Sequence, residues 1–296
     1  MLKIRSQYDT HGDCVAVLGY FDGIHVGHKK LICEAAALAK SLSLPLAVFT
    51  FSSLPTKDKS ERRLLTREER AEVFFSLSVS VIYEIDFDDV KDMDAESFVK
   101  EILIRKMRTR VAFCGKSFRF GRGAEYTAED LKSELERHGA ALKTVEETEI
   151  SGRKISSSEI KKYVEEGKIE KANSLLCEPY FIDSVIVRGR GVGRKLGFPT
   201  LNIDIPSEKI ILKNGVYKSQ VLCEKKSHPA LTNVGSCPTF KERKIHAESF
   251  IPDFEGDLYG KRVRIYFLEF LRDEKKFKSE EALIIQIKED IERAGK

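Results

Sequence analysis

The chain has 296 residues, enough for two domains that each bury a core. With 42% hydrophobic and 33% charged residues, and a net charge of only +4 from 51 basic against 47 acidic side chains, it reads as a globular protein without a nucleic-acid-coating surface. Six cysteines with no CxxC pair give neither a zinc nor a disulfide framework, and the lack of a secretory pattern or an 18-residue apolar run leads to the expectation of a cytoplasmic protein without a membrane partner.

Cys14-Val15-Ala16-Val17-Leu18 reads as a buried strand ending at Gly19. From about His28 the residues Leu31, Ile32, Ala35, Leu38, Ala39 and Leu42 fall at helical spacing. Leu46-Ala47-Val48-Phe49 is the next strand. Helices are predicted over about 67–77, 95–106 and 128–138, and strands over 79–83, 111–114 and 142–145. This α/β alternation predicts a parallel sheet with helices on both faces, whose ligands sit beyond the carboxyl ends of the strands, where Gly19 to His28 lie. Two short helices, 158–166 and 168–176, close this half. Strand-like runs at 182–187, 216–222, 230–234, 247–251 and 263–270 then follow without an intervening helix, and a helix at 279–294 ends the pattern. Such a succession predicts an antiparallel β-barrel capped by one C-terminal helix. The boundary is expected near 177–179, giving domains 1–178 and 179–296.

The string Gly19-Tyr20-Phe21-Asp22-Gly23-Ile24-His25-Val26-Gly27-His28 follows a strand and opens a helix. Its glycines let backbone approach a ligand closely, and a helix start offers unpaired N–H groups to an anion. His25 and His28 lie on one side of the first turn, where both can donate to phosphate oxygens. Metal ligation and simple capping are the competing readings, although no third ligand stands at metal spacing. Ile155-Ser156-Ser157-Ser158-Glu159-Ile160-Lys161 sets hydroxyls at a helix start with a cation one turn on, which suits a triphosphate or a plain N-cap. Gly115-Lys116-Ser117-Phe118-Arg119-Phe120-Gly121 forms a loop after a strand.

The run from Arg188 to Lys195 interleaves glycines with cations. It is not a dinucleotide fingerprint, because no helix follows and no acidic residue ends a βαβ unit about twenty positions on. Its readings are an anion clamp, with Gly189, Gly191, Gly193 and Arg194 on phosphate, or a solvated hairpin. In the extended segment Pro199-Thr200-Leu201-Asn202, Thr200 and Asn202 point to the same face and can hold Mg²⁺ while phosphates and water fill its other positions. Glu248, in His246-Ala247-Glu248-Ser249-Phe250, is by itself one glutamate among many and reads as a surface residue.

In their order these strings, followed by Asn233-Val234-Gly235-Ser236-Cys237-Pro238-Thr239-Phe240 and Asp253-Phe254-Glu255-Gly256-Asp257-Leu258-Tyr259-Gly260, resemble the HxGH signature of the nucleotidyltransferase superfamily in its FAD-synthetase version, its GxDFxFG loop and serine-rich second signature, then the PTAN, NVGxxPTF and DFxGDLYG segments of riboflavin kinases. Over about residues 15–278 the chain is identified as a member of the prokaryotic bifunctional riboflavin kinase/FAD synthetase family. The resemblance implies a Rossmann-like nucleotidyltransferase domain and a six-stranded flavokinase barrel. It implies two ATP-dependent reactions, riboflavin to FMN and FMN to FAD with release of pyrophosphate. The implied catalytic residues are His25, His28 and Glu248. ATP and its phosphates would meet Gly19, Phe21, Gly23, Gly27, Ser157, Ser158 and Lys161 in one domain and the glycine-rich clamp in the other, and flavin would lie near Phe118, Phe120 and Arg272. Ser117 stands where the family has Asp, Lys161 where it has Arg, Leu201 where it has Ala, and 50–55 lacks the acidic and histidine positions often seen there. These departures leave open a riboflavin kinase with an impaired first domain, or a flavin-binding regulator without turnover.

Overall fold

The computed structural model describes residues 3–6, 12–53, 62–150, 152–189, 193, 196–238, 243–252, 254, 256 and 258–295. They divide into two units, Met1–Glu61 with Arg67–Ser156, and Arg62–Thr66 with Ser157–Lys296.

In the first unit a six-stranded sheet runs in the order β1 (Lys3–Ser6), β4 (Val81–Ile85), β3 (Leu46–Phe51), β2 (Cys14–Leu18), β5 (Thr109–Gly115), β6 (Ala141–Val145), and β7 (Glu149–Ile150) pairs with β8 (Arg153–Lys154) after it. All pairings in the six-stranded sheet are parallel except that of β1, a short polar edge strand that no periodicity in the sequence announces. β2 and β4 are buried along their whole length, which is why β2 reads as an unbroken apolar run rather than an alternating one; β4 carries Glu84, paired with Arg67 and Arg70. Helix α1 (Val26–Ser41) buries Leu31, Ile32, Ala35 and Ala39, the stripe its spacing predicts. The helices α2 (Arg67–Ser76) and α4 (Ala128–Arg137) also fall where periodicity puts them. The helix expected at 95–106 begins as α3 (Ala95–Ser97) and goes on as a π-helix (Phe98–Lys106), burying Phe98, Val99, Ile102 and Leu103. β2 lies between β3 and β5, so the chain leaves it in one direction and later resumes on its other side. A crevice at the carboxyl ends of β2 and β5 follows from that reversal.

In the second unit β9 (Phe181–Val187), β10 (Thr200–Asp204), β11 (Gly215–Cys223), β12 (Lys226–Pro238), β13 (Arg243–Phe250) and β14 (Arg262–Arg272) close into an antiparallel barrel ordered β10-β13-β12-β11-β14-β9. Alternation sends Val221, Ile203, Ile265 and Phe267 inward. Three hydroxyls share that interior: Ser219 donates to the Ala230 carbonyl at 3.0 Å, and the Ser219–Thr232 and Thr232–Ser249 oxygens lie 2.6 and 2.7 Å apart. Each buried hydroxyl is thereby paired.

The helices α5 (Ser157–Glu165) and α6 (Ile169–Leu175), expected to close the first half, group with the barrel. Asn173 of α6 donates to the Phe267 carbonyl and accepts from the Tyr180 amide, both at 2.8 Å. The segment Arg62–Thr66 joins this unit too: the Arg63 amide donates to the Glu208 carbonyl at 2.9 Å, and the Ile210 amide donates to the Arg63 carbonyl at 2.8 Å.

The C-terminal helix α7 (Glu280–Gly295) is fixed to β14 by an ion pair in which Arg272 donates through Nε and Nη2 to Asp290 at 2.7–3.0 Å. Asp290 is only 5% exposed, so its loss strands a cation with little water. Asp290→Ala should cost about 3 kcal/mol of unfolding free energy, whereas an isolated surface pair would cost under about 1. Urea denaturation followed by circular dichroism measures the difference.

Candidate functional site

Two cavities collect the residues singled out in the sequence, one in each unit. The first, about 220 Å³, opens at the ends of β2, β5 and β6 and is lined by Gly19, Phe21, His25, Gly27, His28, Phe118 and Lys154 among others. Strain shapes its floor. Phe21 and Ile24 take positive φ of 61° and 40° between them, and Gly23 takes 83°, a region that β-branched isoleucine strongly avoids. The surroundings hold this turn in place. The Tyr20 carbonyl accepts from Thr50 Oγ1 at 2.8 Å and from Arg70 Nη1 at 3.0 Å. Arg70, 3% exposed, also donates to the Phe51 carbonyl at 2.6 Å and to Glu84 at 3.1 Å, and Glu84 is held from its other side by Arg67 at 2.6 Å. Gly19 is glycine because a Cβ there would meet the Phe21 ring at 2.7 Å.

His25 is the N-cap of α1, its Nδ1 accepting from the His28 amide at 3.3 Å. That bond leaves the proton of the neutral ring on Nε2, a single donor. The His25 and His28 rings stack 3.6 Å apart, and Phe21 meets His28 edge-on at 5.0 Å. Burial pushes the His25 imidazole down to about 4 and holds His28 well below the ordinary histidine range, His25 adding to the effect on His28. Both rings are therefore neutral hydrogen-bonding groups at neutral pH. Glu146 and Glu147 also line the cavity, and each is bound to a lysine, Lys116 and Lys154 respectively. Lys154 donates to Ser117 at 2.9 Å as well, so the position where a family acid is replaced sits within a lysine–glutamate cluster.

Phe118 borders this cavity, whereas Phe120, stacked 6.0 Å from it, is 7% exposed and packs on Phe98 and Tyr126. Ser157, Ser158 and Lys161 stand at the start of α5, in the second unit, and do not line the cavity. Thr148 and Lys154 line it without having been marked by the sequence, where nothing distinguishes one threonine or lysine in a polar stretch.

The second cavity, about 790 Å³, lies at the barrel and is lined by Arg188, Gly189, Thr200, Asn202, Ser249 and Tyr259 among others. Asn202 pairs directly with Glu248 across β10 and β13, and Thr200 pairs with Phe250. Directly opposed residues share a face of the sheet, so Glu248 stands beside Asn202 on the side that carries Thr200. Ala247 and Ser249 are buried on either side of it, while Glu248 is exposed and is not among the residues that line the cavity. Asn202 is 9% exposed because Gly189 lies against it: a Cβ on Gly189 would fall 2.5 Å from the Asn202 Nδ2 and 2.6 Å from its Cγ. Gly193 is held as closely, a Cβ there falling 2.3 Å from the Phe198 carbonyl oxygen. Gly191 and Arg194 of the expected clamp lie outside the described residues. Arg272 is not among the residues that line this cavity, its guanidinium being taken up by Asp290.

Comparison with known proteins matches residues 7–159 to the FAD synthetase family and 176–296 to the riboflavin kinase family. The bifunctional riboflavin kinase/FMN adenylyltransferase of Bacillus subtilis (strain 168) is 32% identical, covering 95% of this chain and 91% of that protein. Its counterpart in Escherichia coli (strain K12) is 29% identical over 94% of this chain and 90% of its own. The crystal structure of a protein named macrolide-efflux protein from Streptococcus pneumoniae superposes with a TM-score of 0.87 at 31% identity, over 97% and 95% of the two chains. Among the described residues no helix is long and apolar enough to cross a membrane.

Two outcomes follow from this geometry. Gly189→Ala should displace the Asn202 amide and disable whatever chemistry the second cavity performs while leaving that of the first intact, as read by separate assays of the two half-reactions. A free imidazole charges near 6.5 but His25 in the fold only near 4, so the unfolded chain binds protons first and stability should fall as pH drops from about 6.5 towards 4. His25→Asn, which keeps a capping acceptor, should flatten that acid slope in denaturation series at pH 7, 6 and 5.

Proposed function

The chain belongs to the bifunctional riboflavin kinase/FMN adenylyltransferase family, which converts riboflavin to FMN and FMN to FAD with ATP, and from this we propose that its two cavities divide the two reactions. Residues 179–296 carry the kinase and residues 1–178 the adenylyl transfer, a division supported by family matches at 7–159 and 176–296, the second beginning three residues before the boundary. The chemistry belongs in the cytoplasm, where ATP is supplied.

In the barrel, Glu248 takes the proton of the ribityl hydroxyl as that oxygen attacks the γ-phosphate of ATP, and ADP leaves. Thr200 Oγ1 and the Asn202 amide oxygen are hard, neutral donors on one face of β10, and such a donor set fits Mg²⁺ brought in with the nucleotide. When bound, the ion would neutralise phosphate charge. The register that sets Glu248 opposite Asn202 is the observation that carries this reading.

In the first unit the attacking group is the FMN phosphate, already an anion, so no base is needed. The two carboxylates lining that cavity are both tied to lysines, which agrees with a site that only stabilises charge. The His25 Nε2–H, His28 and the first-turn amides of α1 face the α-phosphate as the FMN oxygen bonds to it and pyrophosphate departs. Phe118 borders the flavin.

Incubating the purified protein with riboflavin, ATP and Mg²⁺, and resolving the flavins by chromatography, tests the whole scheme: FMN and then FAD should accumulate. Glu248→Ala should lower FMN formation by about 100-fold or more while FAD is still made from supplied FMN. His28→Ala should do the converse. Loss of both activities in either variant would contradict separate sites.

A further inference from the structure

The first cavity holds two buried polar atoms with no partner among the described residues, His28 Nδ1 and Thr148 Oγ1. A buried hydroxyl without a partner destabilises the folded state relative to an apolar side chain of the same shape, so packing alone favours valine at 148. Something that enters the cavity must supply what the protein does not. The position of Thr148 identifies its chemistry. Its Cβ lies 3.4 Å from the point where a Cβ on Gly27 would be, so the side chain rests against the first turn of α1. There the unpaired helical amides and the positive end of the helix dipole gather with the His25 Nε2–H, and Lys154 stands in the same wall. The helix amides, the His25 Nε2–H and Lys154 all offer a proton or positive charge, while Glu146 and Glu147 in the same wall are bound to Lys116 and Lys154, and a hydroxyl added to such a set donates to an anionic oxygen. The aromatic wall at Phe118 is the part suited to a flat ring.

We propose that Thr148 is a further nucleotide-binding residue of the adenylyl-transfer site, its hydroxyl donating to a phosphate oxygen of ATP beside His28. The inference rests on the adenylyltransferase reading of this cavity. It predicts a trade between stability and binding that an ordinary packing residue would not show.

The test compares Thr148→Val and Thr148→Ser with the parent protein in three measurements: the melting temperature without ligand, the KM for ATP and for FMN in FAD formation from supplied FMN, and riboflavin phosphorylation as an internal control. Thr148→Val should melt at the same temperature or higher, yet raise the KM for ATP about tenfold, the equivalent of one hydrogen bond. Its KM for FMN should stay within about twofold, its riboflavin phosphorylation should not change, and Thr148→Ser should behave as the parent. An unchanged KM for ATP overturns the assignment. So does a rise confined to FMN, which would move the hydroxyl to the other substrate, or a lower melting temperature with all rates reduced, which would make Thr148 a packing residue. A parent protein that forms no FAD would instead remove the reading of the cavity, and the inference with it.

Discussion

The Tyr20 carbonyl oxygen is the fixed point of the first unit. Thr50 reaches it from β3 and Arg70 from α2, and Arg70 is itself clamped by Glu84 of β4. Three elements therefore converge on one backbone atom. The turn that follows contains two non-glycine residues at positive φ, and such backbone persists only where its neighbours leave it no alternative. Because the turn is held, α1 begins where it does, His25 caps it, and the His25–His28 stack faces the crevice at the sheet's point of reversal. A buried arginine satisfied by two carbonyls and a carboxylate can do this without a bound ligand, so the site is formed before substrate arrives.

The two halves meet opposite chemical demands with different materials. An alcohol must lose a proton as it attacks phosphorus, and the barrel supplies an exposed carboxylate opposite a buried amide. A phosphate monoester has no proton to lose, and the α/β unit supplies neutral imidazoles, helix amides and carboxylates already bound to lysines. Neutrality of the histidines is itself an outcome of burial: a dry pocket disfavours their charged form and strengthens the hydrogen bonds they make.

Much of this was legible because burial writes itself into residue spacing. The runs at 14–18 and 46–49, which lie in β2 and β3, are apolar without interruption, the signature of strands covered on both faces, and the C-terminal half showed strand-like runs in succession with no helix between them. His25 and His28 stack at the first turn of α1, and Thr200 and Asn202 stand two apart on β10, with Gly189 against Asn202. Other features are set by contacts between segments far apart in the chain, which no local pattern encodes. Strand β1 is short and polar, and only its pairing with β4 defines it. Arg272 has the look of a ligand-binding cation, but Asp290, eighteen residues later, occupies it. Lys154 and Thr148 gain meaning only when the β5 and β6 loops close over α1.

The short stretch Arg62–Thr66 limits how modular this polypeptide can be. It lies early in the chain, flanked by parts of the α/β unit, yet it is counted with the barrel, hydrogen-bonded to the backbone of 208–210, with Leu64 and Leu65 buried. No single cut yields two complete halves. A gene fragment starting at the kinase would encode a barrel lacking the backbone partner of 208–210. Fusion in this protein is thus a matter of interleaved chain as well as of shared metabolism: the two catalysts are threaded together and inherited as one.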